Sequence, residues 1–155
     1  SEMCIREGPE KITITNNYSA GSAKGFAINH TTPVYPGSTT APQVAIGKSR
    51  QYWVAPVVAK EECLFTEKNV CPSGWKIASK SEYIDILHSS TEGTNLSYAN
   101  ETVKKNAAIF NNNGTLSSYF WSTDAYWYVT FATGNYRLNN IGEYDKNKVR
   151  CIQNK

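Results

Sequence analysis

The sequence predicts a single α+β domain, with short antiparallel strands towards both ends and two helices between them. Three observations carry that prediction. Strand-like alternation recurs near residues 11, 43 and 51; two helix signals follow between residues 79 and 110; strand texture returns after Gly114. Strands and helices grouped in blocks read as α+β rather than as alternating βαβ units. The 155 residues fit one domain with a substantial core.

The first strand is predicted at Lys11-Ile-Thr-Ile-Thr15, where apolar and β-branched polar residues alternate. From Asn16 to Ser38 the chain is rich in Asn, Gly, Ser, Thr and Pro, including Pro33 and Pro36, and reads as a long loop. Gln43–Ile46 and Gln51–Val58 follow as strands, with a turn at Gly47-Lys48-Ser49. Pro56 lacks a backbone N–H, which confines it to an edge or a bulge. Ser79-Lys-Ser-Glu82 is a capping box, and Tyr83, Ile84, Ile86 and Leu87 supply the apolar face of the helix behind it. The second helix is predicted over about Asn100–Phe110, with Val103, Ala107 and Phe110 on one face. Asn111-Asn-Asn-Gly114 ends it with residues that tolerate a left-handed backbone. The remaining strands are Tyr119–Trp121, Tyr126–Phe131, Tyr136–Leu138 after a Thr133-Gly-Asn135 turn, and Lys148–Ile152.

Composition narrows the function. Only 19% of residues are charged, and the net charge of +3 comes from scattered Lys and Arg. Nucleic-acid binders concentrate basic residues on one face, so no nucleic acid is expected as partner. No apolar run approaches the roughly 18 residues of a membrane span. No signal peptide is visible, so the chain reads as mature or trimmed. Four cysteines without a CxxC pair, with neither His30 nor His88 near one in sequence, read as two disulfides rather than a zinc site. That implies an oxidising location: periplasm, cell surface or secreted space.

Catalysis finds little support. A nucleophile needs a base that is itself held in place. His30 lies in a Thr/Pro loop, His88 at a helix end, and both read as surface. Glu61 and Glu62 are strand neighbours, which point to opposite faces. The chain is read as a non-enzyme with no cofactor. Asn-x-Ser/Thr sequons at Asn29, Asn95, Asn100 and Asn113 are accidental in a bacterial surface protein and glycan sites in a secreted eukaryotic one.

At Cys71-Pro-Ser-Gly-Trp-Lys-Ile-Ala-Ser-Lys-Ser-Glu82 the chain resembles the first-helix entry of C-type-lectin-like domains, and the bacterial Fibrobacter major paralogous type in particular. Phe120-Trp-Ser-Thr123, the Trp127-x-Val129-x-Phe131-x-x-Gly134 strand and turn, and Val149-Arg-Cys151 are similar to that family's later motifs. The resemblance covers residues 51–152, leaving 1–50 as an N-terminal ribbon or extension of the one domain. It implies a C-type-lectin-like fold, two helices beside short sheets, with terminal strands close together. It also implies a Cys71–Cys151 bridge, which leaves Cys4 to Cys63; Cys63–Cys71 is the competing local pair. A loop of about 80 residues so closed gives ~4.5 kcal/mol in the chain-entropy account. The family's calcium motifs, Glu-Pro-Asn or Gln-Pro-Asp with Trp-Asn-Asp, are absent, and Asp124, Glu143 and Asp145 are separated in sequence. Calcium needs about six to eight oxygen ligands, so recognition is expected to be metal-independent.

The family's alternation places Trp127, Val129 and Phe131 in the core and Tyr126, Tyr128 and Thr130 outward. Asn135, Tyr136, Arg137, Asn139 and Asn140 are expected to continue that surface. Tyr, Asn and Arg suit recognition because tyrosine offers large contact area at low rotamer loss. Losing Tyr128 and Tyr136 is therefore expected to abolish binding and leave the melting temperature nearly unchanged. Some domains of this type are diversified at adenine-containing codons, of which Asn and Tyr are typical products. The expected role is an adhesin tip in a larger surface assembly on a bacterium or phage, binding a host or target-cell surface protein or glycan. The alternatives are the receptor-binding end of an intimin/invasin-like adhesin and a structural pilus subunit.

Overall fold

The computed structural model describes residue 35 and residues 41–62, 71–90, 93–111, 118–124, 127–132, 134–140 and 147–155. The predicted strand over residues 11–15 lies outside them, as do Cys4 and Cys63. Two strands come first, β1 (Gln43–Ile46) and β2 (Gln51–Glu62), followed by a short β3 (Lys76–Ile77). Helix α1 (Lys80–Ile86), strand β4 (Gly93–Ser97) and helix α2 (Glu101–Phe110) make up the middle. Strands β5 (Ser118–Trp121), β6 (Trp127–Ala132), β7 (Asn135–Asn140) and β8 (Asn147–Asn154) complete the order.

Among the described residues eight strands form one sheet in the order β1-β2-β8-β5-β6-β7-β4, with β3 also paired to β8. This overturns the expected α+β, C-type-lectin-like class with short separate sheets. The sheet is mixed and dominant, and the helices are short, seven and ten residues. The cause is β8. It pairs antiparallel with β2 and β3 and parallel with β5 at Phe120↔Lys148, so it fuses the N-terminal and C-terminal strands into one sheet. Such pairings join residues far apart in sequence and leave no local signal. Strands β3 and β4, which lack a clear alternation, were not predicted.

Pro56 occupies a bulge of β2, just beyond the residues that β1 pairs. The register slips between Val54↔Ile152 and Val58↔Arg150, which removes Pro56 from the ladder it cannot donate to. The slip also frees the Ala55 carbonyl. Arg150, 2% exposed, donates from Nη1 to Ala55 O at 2.8 Å and from Nη2 to Phe110 O at 2.7 Å. The second acceptor is an orphan carbonyl at the end of α2, where a cation also suits the helix dipole.

Helix α1 starts as predicted. Ser79 Oγ accepts from Glu82 N–H at 3.1 Å and Glu82 Oε1 accepts from Ser79 N–H at 3.0 Å. Asn100 caps α2 by accepting from Val103 N–H at 3.0 Å, and Val103, Ala107 and Phe110 are buried. The helix ends at Asn111 as expected, with Asn111 at φ −104° and its Nδ2 donating to Phe131 O at 2.9 Å; residues 112–114 lie outside the described residues. A side-chain bond to the sheet holds that end.

Both faces of the sheet carry a core. The helices cover one, where Tyr83, Ile86, Phe110, Phe120, Val129, Phe131, Leu138 and Ile152 pack together. The other holds Tyr35, Trp53, Ala55, Trp75, Ile77, Trp121, Val149 and Cys151, with Tyr35 edge-on to Trp75 at 4.7 Å. Cys71 is bonded to Cys151 on that side, their Cα atoms 6.0 Å apart across 80 positions, as the resemblance implies. The Cys4–Cys63 pairing lies outside the described residues.

Asp85 of α1 ties the helix layer to the β1–β2 turn. Its Oδ1 accepts from Ser49 N–H and Oγ, both at 2.7 Å, and its Oδ2 from Tyr52 Oη at 2.8 Å and Arg50 N–H at 3.2 Å. Burial alone would push this carboxyl up, but the bonds from Ser49, Tyr52 and Arg50 outweigh it and hold the pKa below the usual aspartate value. Its contribution to stability is therefore complete above the ordinary aspartate range and is lost as pH falls through the lowered native value. Asp85→Ala is expected to destabilise by about 2–3 kcal/mol, and Asp85→Asn to flatten the acid side of a pH–stability curve from urea denaturation. Replacing Cys71 and Cys151 together by Ser should cost about 2–5 kcal/mol in the same assay, and a non-reducing peptide map should join the fragments holding those two cysteines.

Candidate functional site

The predicted recognition surface falls on β5, β6 and β7, so their registers decide what it is. Strand β6 pairs with β5 through Tyr119↔Thr130, Phe120↔Val129 and Trp121↔Tyr128. It pairs with β7 through Tyr128↔Asn139, Val129↔Leu138, Thr130↔Arg137 and Phe131↔Tyr136. Directly paired residues share a face, and successive residues alternate. Phe120, Val129, Leu138, Phe131 and Tyr136 thus point to the helices, and all belong to that core. Tyr119, Trp121, Tyr128, Thr130, Arg137 and Asn139 point the other way.

This arrangement corrects the expected orientations in three places. Tyr128 and Thr130 point away from the helices as predicted, but at 4% and 7% exposed they are buried, not open to solvent. Tyr136 does not continue their surface; it lies on the helix face, 5% exposed, stacked on Tyr98 with centroids 6.0 Å apart. Asn140 pairs with Trp127 on that same helix-side row and is exposed. The physical reasons are register, which puts Tyr136 and Asn140 beside Phe131 and Trp127, and packing on both sheet faces, which buries Tyr128 beside Trp121 of the second core. Asn135, Arg137 and Asn139 remain half-buried, and Tyr126 lies outside the described residues. Of the eight predicted residues, the register brings Tyr128, Thr130, Arg137 and Asn139 into one block.

Tyr119 is the residue the sequence reading missed. It is 41% exposed, and its ring lies nearly parallel to that of Tyr128, with centroids 5.3 Å apart and 6° between planes. The signal was present, since alternation through Tyr119-Phe-Trp121 already separates Tyr119 from the core residue Phe120. Beside it, the Thr130 hydroxyl is enclosed without a hydrogen-bond partner. Asn139 Oδ1 accepts from Asn140 N–H at 2.8 Å, which leaves its amide NH₂ as the free end. Trp127 is half-buried against the helix-side core, and the Lys80 ammonium stands 3.9 Å over its ring.

Of the two histidines, His88 lies among the described residues. His88 adopts φ +52°; its Nε2–H donates to Ile46 O at 2.9 Å while its Nδ1 faces Asn100 Nδ2 at 3.4 Å. Those bonds make it a helix-end brace. His30 and the side chains of Glu61 and Glu62 lie outside the described set. Among the described residues no three His, Cys, Asp or Glu side chains converge as a metal site. Buried Tyr83 donates to Trp121 O at 3.2 Å; burial pushes its phenol up, against the lowering effect of the nearby Arg150.

No protein-family model, curated protein or solved structure matches this chain.

The burial of Tyr128 and Tyr136 reverses the expected outcome of removing them. Tyr128→Ala and Tyr136→Ala should each destabilise by about 3–5 kcal/mol, as large aromatic truncations in cores do. Thermal melts of the single variants check this, and an unchanged melting temperature would contradict the packing described above.

Proposed function

We propose that this chain is a binding module of an oxidising, extracytoplasmic location, which recognises a surface protein or glycan through the β5–β7 face without a metal. One observation carries the reading: among the described residues Tyr119 is the large aromatic side chain left most open to solvent, and it stands on a buried second tyrosine. A flat aromatic held from behind gives contact area with little loss of rotamer freedom on binding. Arg137, Asn139 and Asn135 surround that block with polar ends of different length, the usual make-up of a recognition rim. The Cys71–Cys151 bond supports the location, because such bonds persist where thiols are not kept reduced. A rigid two-core sheet supports a binding role further, since it holds the block in place before any ligand arrives.

An array of glycans and cell-surface proteins, probed with the full chain with and without a chelator, tests the reading. Capture should survive chelation. The Tyr119→Ala/Arg137→Ala double variant should lose it while melting within about 4 °C of the parent, because neither side chain belongs to a core. Signal that vanishes with chelator, or a double variant that binds like the parent, would overturn the proposal.

A further inference from the structure

We infer that the β5–β7 face takes a carboxylate-bearing sugar, its ring flat on Tyr119 and its acid group on Arg137. This rests on the binding role proposed above and specifies its ligand. The geometry comes from one cross-strand row. Tyr119 pairs with Thr130, and Thr130 with Arg137, so the three side chains stand in line across three strands on one face. Neighbouring strands lie about 4.8 Å apart, which sets Tyr119 and Arg137 roughly 10 Å from each other with Thr130 between. That gap suits a single six-membered sugar ring with its substituents.

Each member of the row has unused capacity of a particular kind. One face of the Tyr119 ring is occupied by Tyr128, nearly parallel, so the exposed phenol presents a supported apolar plane. The C–H face of a pyranose is the complementary surface. The Arg137 guanidinium makes no hydrogen bond or ion pair among the described residues, and no described carboxylate shares its face. Its fork of donors matches a carboxylate with two parallel bonds. Thr130 is 7% exposed and its Oγ1 has no partner, a rare condition for a buried hydroxyl. Enclosed as it is, that side chain lies beneath the surface of the row and spaces Tyr119 from Arg137.

The balance of donors and acceptors selects a sugar acid over an acidic peptide. Arg137 and the Asn139 amide are donors, and Asn139 Oδ1 is already taken by Asn140 N–H. A peptide would bring backbone N–H groups, for which the Tyr119 hydroxyl is the one exposed acceptor in the row. Sugar hydroxyls can donate or accept as the partner requires.

Glucuronic acid and glucose form the matched pair of probes, since they differ at the carboxylate alone, and a Glu-rich peptide is the third. Titration calorimetry on the full chain should show glucuronic acid binding at least about tenfold tighter than glucose. Arg137→Gln should erase that preference. Thr130→Val, at an enclosed position, should leave glucuronic acid binding within about twofold while the melting temperature stays level or rises, because an unbonded buried hydroxyl is lost. Equal binding of the two sugars, or tighter binding of the peptide, would each overturn the inference. Array capture that depends on Tyr119 but shows no preference for acids sinks this inference and leaves the binding role standing; no capture of any probe removes both.

Discussion

The buried guanidinium of Arg150 is the interaction on which the rest of the structure depends. A charge taken out of water is costly unless its donors are satisfied. Here two backbone carbonyls accept from it, and each is available for a specific reason. Ala55 O is released from the ladder by the bulge that Pro56 requires, and Phe110 O is an orphan at the end of a helix. One side chain on β8 thus joins a sheet irregularity to a helix terminus. The two neighbours of Arg150, Val149 and Cys151, point into the opposite core, so the same strand organises both layers.

A second set of polar contacts closes the far side. Asn106 of α2, itself buried, accepts from Ile46 N–H and donates to Ile46 O, both at 3.0 Å, and donates to Ile86 O at 2.8 Å. Its amide pairs with β1 as a neighbouring strand would, and so covers part of that sheet edge. Asp85 grips the turn that follows β1. Together they fix both helices against the sheet with directional bonds, where seven- and ten-residue helices have little stability of their own. The β5–β7 block then gains a rigid back: Phe120, Val129, Phe131 and Leu138 are locked beneath it, so the residues on the other face have defined positions.

On that other face, packing bears directly on the proposed recognition. Tyr128 is buried and Tyr119 is open, yet the two rings stack, so the exposed ring inherits its orientation from the buried one. A recognition residue placed this way needs less ordering when a ligand arrives. The expectation of a wide tyrosine surface gives way to a narrow one: among the described residues of β5–β7, Tyr119 is the one tyrosine open to solvent.

What the sequence determined by itself was local. The Ser79–Glu82 capping box, the helical spacing of Val103, Ala107 and Phe110, the β1–β2 turn at Gly47-Lys48-Ser49 and the alternation of Val129 and Phe131 all express rules that act within a few residues. Motif resemblance added the Cys71–Cys151 bond. Tertiary structure decided how many strands join one sheet, that Tyr136 belongs with the helices, and that Tyr119 rather than Tyr128 meets solvent. Alternation tells which residues share a face, but burial depends on what packs on that face. The central place of β8 and the second core arise from pairings between residues up to about a hundred positions apart, such as Tyr52 with Asn154. No periodicity in a single strand can encode a partner that distant, which is why the outward tyrosines read as surface until the sheet was assembled.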